Sequence, residues 1–180
     1  IIGRLVGSEM CIRDSPNDVI TLVSVSGFDA ALGTPVVNGG LVDYTPVANM
    51  SGSDTFSYTI SDGTVSASGS VTVTVNPIND IPVAMDDALA TQEDVPNTTV
   101  DVTANDTDVE GDTLTAVLLA NPSNGSVIDN GNNTFTYTPN GNFFGADSFT
   151  YTLSDGNGGS STGTVNISVA PVNDSPVAVS

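Results

Sequence analysis

The chain has 180 residues, of which 21 are acidic and two are basic, and its formal net charge at neutral pH is −19. Arg4, Arg13 and the one cysteine, Cys11, all precede Pro16, and from Pro16 onward there is no Lys, Arg, His, Cys or Trp. This composition excludes nucleic-acid binding through cationic side chains, thiol or Ser-His-Asp catalysis, zinc fingers and disulfide frameworks. No apolar run reaches the length of about 18 residues that a membrane-spanning helix needs.

Residues 1–15 differ in composition from everything that follows. They hold both cations and the cysteine, and the string EMCIRD at Glu9–Asp14 resembles a translated sequencing-library tag. We interpret 1–15 as a non-native, disordered segment, and a genuine but unusual N-terminus is the alternative. The apolar stretch in this segment is too short and too interrupted by glycine and arginine for a signal peptide.

The rest of the chain contains one sequence unit twice. The string GSDTFSYTISDG at 52–63 recurs as GADSFTYTLSDG at 145–156, and VNPINDIPVA at 75–84 recurs as VAPVNDSPVA at 169–178. Repeats at a fixed spacing indicate a tandem array of one structural unit. We therefore predict a truncated first copy at 16–79 that lacks its first two strands, A and B. A complete copy follows at 80–174, and a further copy begins at 175–180.

The complete copy has the pattern of an antiparallel β-sandwich. Phe149, Tyr151 and Leu153 alternate with threonines, which places apolar side chains on one face of a strand. Turn residues separate seven such runs, which we label A to G and place at about 87–92, 98–104, 113–120, 125–129, 133–138, 148–154 and 162–169. This pattern predicts an all-β fold of tandem immunoglobulin-like Greek-key sandwiches.

One spacing near the start of strand F resembles the tyrosine corner of immunoglobulin-like domains. It occurs as Asp147-x-x-x-Tyr151 in the complete copy and as Asp54-x-x-x-Tyr58 in the first copy. The alternative is that each tyrosine is an ordinary core aromatic residue.

The acidic residues are concentrated between Asp80 and Asp112. The densest run places Asp106, Asp108, Glu110 and Asp112 at alternate positions, where the carboxylates repel one another. A hard cation such as Ca²⁺, with six to eight oxygen ligands, offsets such repulsion. The run resembles the first half of an EF-hand loop, but Val117 occupies the twelfth position and no flanking helices are predicted. We reject an EF-hand and retain Ca²⁺, with a solvated acidic turn that holds no ion as the alternative.

The predicted topology gathers the acidic residues at both ends of the sandwich. In a seven-stranded sandwich the B–C and F–G loops lie at the end where strand A enters. The predicted metal ligands at that end are Asp106, Asp108, Glu110, Asp112, Asp80, Asn79, Asp86, Asp87 and Asp155, joined across the junction by Asp54 of the first copy. The opposite end carries the half of a second junction formed by Glu93, Asp147, Asn173 and Asp174.

The complete copy resembles the bacterial cadherin-like and immunoglobulin-like tandem repeats of large secreted adhesins. The matching segments are Pro82–Pro96, Asn105–Thr115, Phe135–Gly159 and Pro171–Ala178. The linkers at 79–82 and 173–176 also resemble the calcium-binding linker of cadherins, with Asn76 or Ala170 in place of its leading Asp and Ile81 or Ser175 in place of its final Asn.

The resemblance implies one or two Ca²⁺ ions at each junction. Asp106-x-Asp108 would be the counterpart of the cadherin Asp-x-Asp, and Glu93 the counterpart of its A–B glutamate. The family also implies export, display at the bacterial cell surface, and a role in adhesion or biofilm. The expected partners are the neighbouring repeats of the same chain and a surface ligand, either protein or glycan.

Three other functions compete with a Ca²⁺-stiffened adhesin repeat. A carbohydrate- or protein-binding module would need exposed aromatic residues, for which Phe143 and Phe144 are the candidates, although a plug at the base of the core suits them better. A Ca²⁺-free spacer is the second. An enzyme is the third, because paired carboxylates can hydrolyse glycosides, but the acidic residues lie on repeated loops without a cleft. We therefore predict no catalytic activity. We also expect 80–180 to fold alone and 16–79 not to.

Overall fold

The computed structural model describes residues 3–5, 19–96 and 98–174 and divides the chain into two compact units, Ile1–Ile78 and Asn79–Ser180. The described residues form strands joined by turns, with no helix. It follows that this part of the chain has no helix long and apolar enough to cross a membrane. The predicted all-β fold is confirmed. The predictions for 6–15 and 175–180 concern residues outside the described ranges.

The described residues of the first unit form six strands in two three-stranded sheets. The sheet orders are β1-β4-β3 and β2-β5-β6, with every pair antiparallel. The strands are β1 (Gly3–Leu5), β2 (Thr21–Ser26), β3 (Gly33–Asn38), β4 (Leu41–Pro46), β5 (Gly52–Ser61) and β6 (Ser66–Val75). By their position in the repeat, β2 to β6 correspond to predicted strands C to G.

The second unit contains all seven predicted strands. They are β7 (Asp87–Gln92), β8 (Thr98–Asp101), β9 (Thr115–Ala120), β10 (Gly125–Asp129), β11 (Thr134–Pro139), β12 (Gly145–Ser154) and β13 (Ser160–Ala170). One sheet has the order β10-β11-β8 and the other β7-β13-β12-β9. The first and last strands, β7 and β13, pair in parallel, and all other pairs are antiparallel.

Strand β8 ends earlier than the sequence predicted. The carboxylate of Asp101 accepts hydrogen bonds from the N–H of Thr103 at 3.0 Å and from its hydroxyl at 3.1 Å. Such a local side-chain bond competes with sheet pairing and turns the backbone out of the strand. The loop that carries the acidic run therefore begins at residue 102.

Part of the segment 1–15 is described, and it forms a strand. Gly3–Leu5 forms β1, which pairs with β4 and places Gly3 opposite Tyr44. In the second unit β8 pairs with β11 in the equivalent register, with Thr98 opposite Tyr137. Strand β1 therefore occupies the place of strand B, because the free edge of β4 offers backbone groups with which any extended segment can pair.

The core of the second unit lies between its two sheets, on the predicted faces. Alternate residues of β11, β12 and β13 point inward and are buried: Phe135, Tyr137, Phe149, Tyr151, Leu153, Val165, Ile167 and Val169. The two phenylalanines pack at a ring-centroid distance of 5.5 Å. The first unit has a smaller buried cluster of Val42, Tyr44 and Phe56.

Each of the four tyrosines packs against a glycine on the neighbouring strand. The pairs are Tyr44 with Gly33, Tyr58 with Gly69, Tyr137 with Gly125 and Tyr151 with Gly163. A Cβ atom placed on Gly69 would lie 2.7 Å from Cζ of Tyr58, and the other three sites are at least as tight. Glycine is required at these positions because the ring fills the space that a side chain would need.

The tyrosine corner uses a different tyrosine from the one predicted. Asp147 accepts a hydrogen bond from the hydroxyl of Tyr137 at 3.0 Å, and Asp54 accepts the same bond from Tyr44 at 3.0 Å. Tyr151 is instead a buried core residue, as the alternative predicted, and residues four apart on an extended strand are separated by about 13 Å. The hydroxyl of Tyr151 points to the opposite end of the unit.

The two phenylalanines before β12 have different environments. Phe143 packs partly buried against the core, as the plug hypothesis predicted, whereas Phe144 is 61% exposed. The prediction is therefore wrong for Phe144, since neighbouring residues in this extended turn point to opposite sides.

The pairing of tyrosine with glycine makes a prediction about stability. The variant Gly163→Ala should destabilise the second unit by about 1–3 kcal/mol, because the new methyl group overlaps the buried ring of Tyr151. Chemical denaturation followed by circular dichroism measures this change. Gly141→Ala is the matched control, because a Cβ atom there meets nothing within 4 Å. Equal stability of the two variants would contradict the prediction.

Candidate metal site

Three segments of the second unit converge at the end where the chain enters it. They are the linker 79–86, the loop 102–114 between β8 and β9, and the loop 155–159 between β12 and β13. The side-chain amide of Asn157 donates to Asp112 at 2.7 Å, and that of Asn79 donates to Asp155 at 2.7 Å. The predicted meeting of the B–C loop, the F–G loop and the linker is therefore present within this unit.

The linker is held against the loops along its length. Val83 and Thr107 exchange backbone hydrogen bonds of 2.8 and 3.1 Å, and the N–H of Asp80 donates to Oε2 of Glu110 at 3.2 Å. Farther along, the N–H of Ala84 donates to the hydroxyl of Ser161, and the N–H of Thr164 donates to Oδ1 of Asp86. The position of the linker thus depends on the loop that carries the acidic run.

Asp108, Glu110 and Asp112 form a compact group, which we call the acid trio. One carboxylate oxygen from each lies within 4.8 Å of the others, and no other group of three acidic side chains in the described part of the chain is so close. Oδ1 of Asp108 accepts the N–H groups of Glu110 and Asp112, both at 3.0 Å. Gly111, with φ of 77°, reverses the backbone so that Asp112 returns to Asp108.

The acid trio contains an oxygen with no protein donor. Oδ2 of Asp108 is buried and has no hydrogen-bond partner. A buried carboxylate oxygen without a donor is costly, and the repulsion from two neighbouring carboxylates increases that cost. No cationic side chain follows Arg13 in the sequence, so nothing in the second unit supplies a compensating positive charge.

Asp106 is held beneath the linker rather than in the acid trio. The N–H of Met85 donates to its Oδ1 at 2.7 Å, and the hydroxyl of Tyr151 lies 3.1 Å from its Oδ2. The same hydroxyl lies 3.1 Å from the carbonyl of Val102 and 3.2 Å from that of Met85. Asp106 therefore joins the linker, the loop and the core through one buried tyrosine.

Asp87, at the start of β7, has the most perturbed carboxyl group. Burial raises its pKa to about 6, and the negative charges of Asp106 and Asp101 add to the effect. Its Oδ2 is buried and has no hydrogen-bond partner. Burial, followed by the charges of Asp87 and Asp106, also raises the pKa of Tyr151, which stays protonated.

Asp155 is already satisfied by neutral donors. Its Oδ1 accepts the N–H groups of Asn157 at 2.7 Å and Gly159 at 3.0 Å, while Oδ2 accepts the amide of Asn79. The bond from Asn79, more than the backbone bonds, lowers the pKa of Asp155. This carboxylate therefore stays charged and fixes the F–G loop to the linker.

The remaining predicted ligands belong to the first unit or to the other end of the second unit. Asp54 is in the first unit, buried, and accepts the N–H of Asp29 at 3.0 Å as well as the hydroxyl of Tyr44. At the other end of the second unit, Glu93 accepts the N–H of Val172 at 2.7 Å, Asp147 forms the tyrosine corner, and Asn173 bonds the carbonyl of Asp174. These residues have structural hydrogen bonds of their own.

Sequence reasoning missed two contributors to the site. The hydroxyl of Tyr151 was not assigned to the site, because alternation along a strand gives the face of a side chain but not the partner at its tip. The contact of Asn157 with Asp112 was not predicted either, because it depends on the loop conformation in which Asp155 closes the turn.

A comparison with protein families identifies the repeat. The model of the bacterial Ig domain matches residues 6–76 and 79–168, one match for each unit. The chain belongs to the bacterial Ig domain family. The resemblance to bacterial cadherin-like and immunoglobulin-like repeats is therefore confirmed, and so is the arrangement of two Ig domains in tandem. No curated protein sequence matches the chain.

Solved structures share the fold of these Ig domains. The human mucin-like protocadherin EC1-2 is 17% identical with a TM-score of 0.51, covering 87% of this chain and 86% of its own. The human protocadherin-24 EC1-2 is 16% identical with a TM-score of 0.52, covering 91% and 85%. An endo-fucoidan hydrolase of glycoside hydrolase family 107 is 22% identical with a TM-score of 0.41, covering 87% of this chain. The chain spans 24% of that hydrolase. The two protocadherins, at 16–17% identity, show the fold alone.

The raised pKa of Asp87 gives the Ig domain a testable dependence on pH. The folded state holds this proton up to about pH 6, whereas the unfolded state releases it near 3.8, so deprotonation in this window favours unfolding. The variant Asp87→Asn has no proton to release at this position. Its stability advantage over the wild type should therefore increase from pH 4 to pH 7. Melting temperatures of both proteins in EDTA measure it.

The control for this pH dependence is Asp94→Asn, which removes one charge at an exposed position with a positive φ that asparagine also tolerates. A stability difference between Asp87→Asn and the wild type that stays constant across this range of pH would contradict the prediction.

Proposed function

We propose that the chain is a structural segment of an extracellular, adhesin-type bacterial protein, stiffened by Ca²⁺. In this proposal the ion binds the acid trio and immobilises the linker at the entrance to the second unit. The observation that carries the proposal is the buried, unpartnered Oδ2 of Asp108 between two other carboxylates in a unit that has no cationic side chain.

The chemistry of the acid trio suits Ca²⁺ among biological cations. Ca²⁺ accepts six to eight oxygen ligands in flexible geometry, and carboxylates are its preferred protein ligands. The trio offers carboxylate oxygens alone, and the exposure of Glu110 leaves space for water to complete the coordination. A transition metal would favour imidazole or thiolate ligands, which the chain lacks from Pro16 onward.

Binding at the acid trio would affect the linker through Glu110. This side chain accepts the N–H of Asp80, so an ion that fixes Glu110 also fixes the start of the linker. Asp112 extends the effect to the F–G loop through its bond with Asn157. Calcium would thereby replace electrostatic repulsion with a shared attraction among the three segments and reduce the freedom of the chain that connects the Ig domains.

The extracellular and adhesive role is supported by the family and by the chemistry of the chain. Tandem Ig domains without catalytic His, Cys or Lys residues suit a spacer that carries a binding domain away from a surface. The expected partners are neighbouring repeats and a protein or glycan ligand at the cell surface, with a contribution to attachment or biofilm. We assign the chain no catalytic role.

Calcium binding is tested by isothermal titration calorimetry of the full chain with CaCl₂. We expect saturable binding and a higher melting temperature, because a ligand that binds only the folded state stabilises it. Asp108→Asn keeps the acceptor for the two backbone N–H groups and removes the charge, and it should weaken binding about tenfold or more, which is about 1.4 kcal/mol. Asp112→Asn should weaken binding as well.

The matched control for the calcium experiment is Asp94→Asn, which removes one charge from an exposed position beside Glu93, at the opposite end of the second unit, and should leave the affinity unchanged. No binding at millimolar Ca²⁺, or unchanged binding by Asp108→Asn, would contradict the proposal and leave a Ca²⁺-free spacer.

A second candidate function is a binding module that uses Phe144. Its 61% exposure makes it a large accessible aromatic side chain at the end of the second unit opposite the acid trio. The first unit has Ala48–Ser51 in the equivalent turn, so this feature is not repeated. Loss of surface attachment in Phe144→Ala, with calcium binding intact, would favour this function over the spacer.

A further inference from the structure

We propose that the outer edge of β9 in the second unit binds β9 of a second copy of this chain, so that two chains join side by side through one antiparallel strand pair. Strand β9 ends the sheet β7-β13-β12-β9 and pairs with β12 on one side. On its other side no strand pairs with it among the described residues. The next strand along the chain, β10, belongs to the other sheet, and the short connection 121–124 between them is described. The free edge is therefore a property of the complete unit.

Strand β9 differs in charge from the other edge strands of the second unit. Strand β7 carries Asp87, β8 carries Asp101 and β10 carries Asp129, whereas β9, with the sequence TAVLLA, carries no charged residue and no proline. Charged residues and prolines on edge strands oppose pairing with a further strand. In a chain of net charge −19, β9 is therefore the edge at which two copies can meet with the least repulsion.

The backbone of β9 presents Leu118 at this edge. The side chain of Asn133 closes the start of the edge, because its Oδ1 accepts the N–H of Ala116 at 2.9 Å and its amide donates to the carbonyl of Leu114 at 3.1 Å. The N–H of Ala116 therefore points away from β12. Backbone groups of alternate residues in an antiparallel strand point to the same side, so the N–H and the carbonyl of Leu118 also face outward.

The arrangement around Leu118 is self-complementary, which favours a second copy as the partner. One donor and one acceptor on the same residue allow two copies related by a twofold axis to exchange both hydrogen bonds, with Leu118 opposite Leu118 of the second copy. In this register Val117 lies opposite Leu119 of the second copy. Val117 is 59% exposed and Leu119 is 58% exposed, so each would cover the other.

A β-bulge limits the length of this contact. Leu118 is opposite Tyr151 and Ala120 is opposite Thr150, so β9 has one more residue than β12 between these pairs. A bulge bends and twists its strand, which ends the regular part of the edge after Leu119. The contact is therefore short, and we expect a weak, reversible association.

The corresponding strand of the first unit has the same character. Strand β2, with the sequence TLVSVS, also carries no charged residue, and Val23 at its bulge is 58% exposed. An uncharged edge with an exposed apolar side chain at the bulge is therefore a property of the repeat and not of one copy.

Charge also distinguishes this contact from binding to a different protein. The chain has no cation after Arg13, so ion pairs between copies of this part of the chain cannot drive association. A partner rich in Lys or Arg would be attracted to the acidic loops and not to an uncharged strand. Two like-charged copies that join through an uncharged edge should associate more strongly as salt screens their repulsion.

The proposal is tested by sedimentation equilibrium of the full chain at protein concentrations up to about 1 mM, which covers weak association. The measurement is made in EDTA so that the result is independent of calcium at the acid trio. We expect a monomer–dimer equilibrium whose association constant rises about tenfold between about 0.05 and about 0.5 M NaCl, because the screening length shortens. Hydrogen exchange of the Leu118 amide should slow as the dimer forms, whereas that of the Val117 amide, which faces β12, should stay unchanged.

Two exposed positions supply a variant and its matched control. Val117→Asp places a carboxylate from each copy at the contact and should weaken dimerisation about tenfold or more. Ile128→Asp adds the same charge at an equally exposed position, 59%, on β10 in the other sheet, and should leave dimerisation unchanged apart from the added net charge. A chain that stays monomeric, a dimer that weakens with added salt, or equal weakening by the two variants would overturn the proposal. Concentration-dependent protection of β6 or β10 in place of Leu118 would overturn it as well.

Discussion

The absence of any cationic side chain after Arg13 determines how this chain handles its carboxylates. Several buried or half-buried carboxylates are stabilised by neutral donors: a tyrosine hydroxyl and a backbone amide for Asp54, two loop amides and a hydroxyl for Asp147, and amides with an asparagine side chain for Asp155. Bonds from neutral donors to a charged acceptor are favourable without the desolvation of a second ion. In the acid trio Oδ2 of Asp108 has no donor and two further carboxylates lie beside it, and the calcium proposal rests on that combination.

The tyrosines connect this constraint to the packing of the sandwich. Each ring lies over a glycine of the adjacent strand, which brings the sheet close to the ring and directs the hydroxyl toward the end of the unit. At one end the hydroxyl of Tyr137 meets Asp147, and at the other the hydroxyl of Tyr151 meets Asp106 and the linker. The packing of the core and the hydrogen bonds at the ends of the sandwich are therefore coupled. Replacing the glycine with a larger residue would displace both the tyrosine ring and the hydrogen bond from its hydroxyl to the carboxylate.

Much of the fold could be predicted from the sequence because two patterns agreed. The alternation of apolar and polar residues predicted the inward faces of β12 and β13, and the sequence repeat predicted the same faces in β5 and β6. The positions of these strands in turn predicted which loops meet at each end of the sandwich. The details at side-chain tips could not be predicted. Alternation places Tyr151 on the inner face but does not identify Asp106 as its partner, and it does not show that Asp87 becomes buried beside that carboxylate. Strand β1 was missed because its pairing depends on a free backbone edge, which leaves no pattern in the sequence.

The parallel pairing of β7 with β13 has a consequence for a domain that is pulled at its two ends. These are the first and last strands of the unit, and they pair continuously from Asp87 with Val165 to Gln92 with Ala170. Because the strands run in the same direction, tension applied through the incoming and outgoing chain slides one past the other. All the hydrogen bonds between them then bear the load together, in contrast to a hairpin that is peeled open one bond at a time. The fold thereby resists mechanical extension through the geometry of its terminal strands, and the lifetime under tension is set by the rate of that concerted rupture.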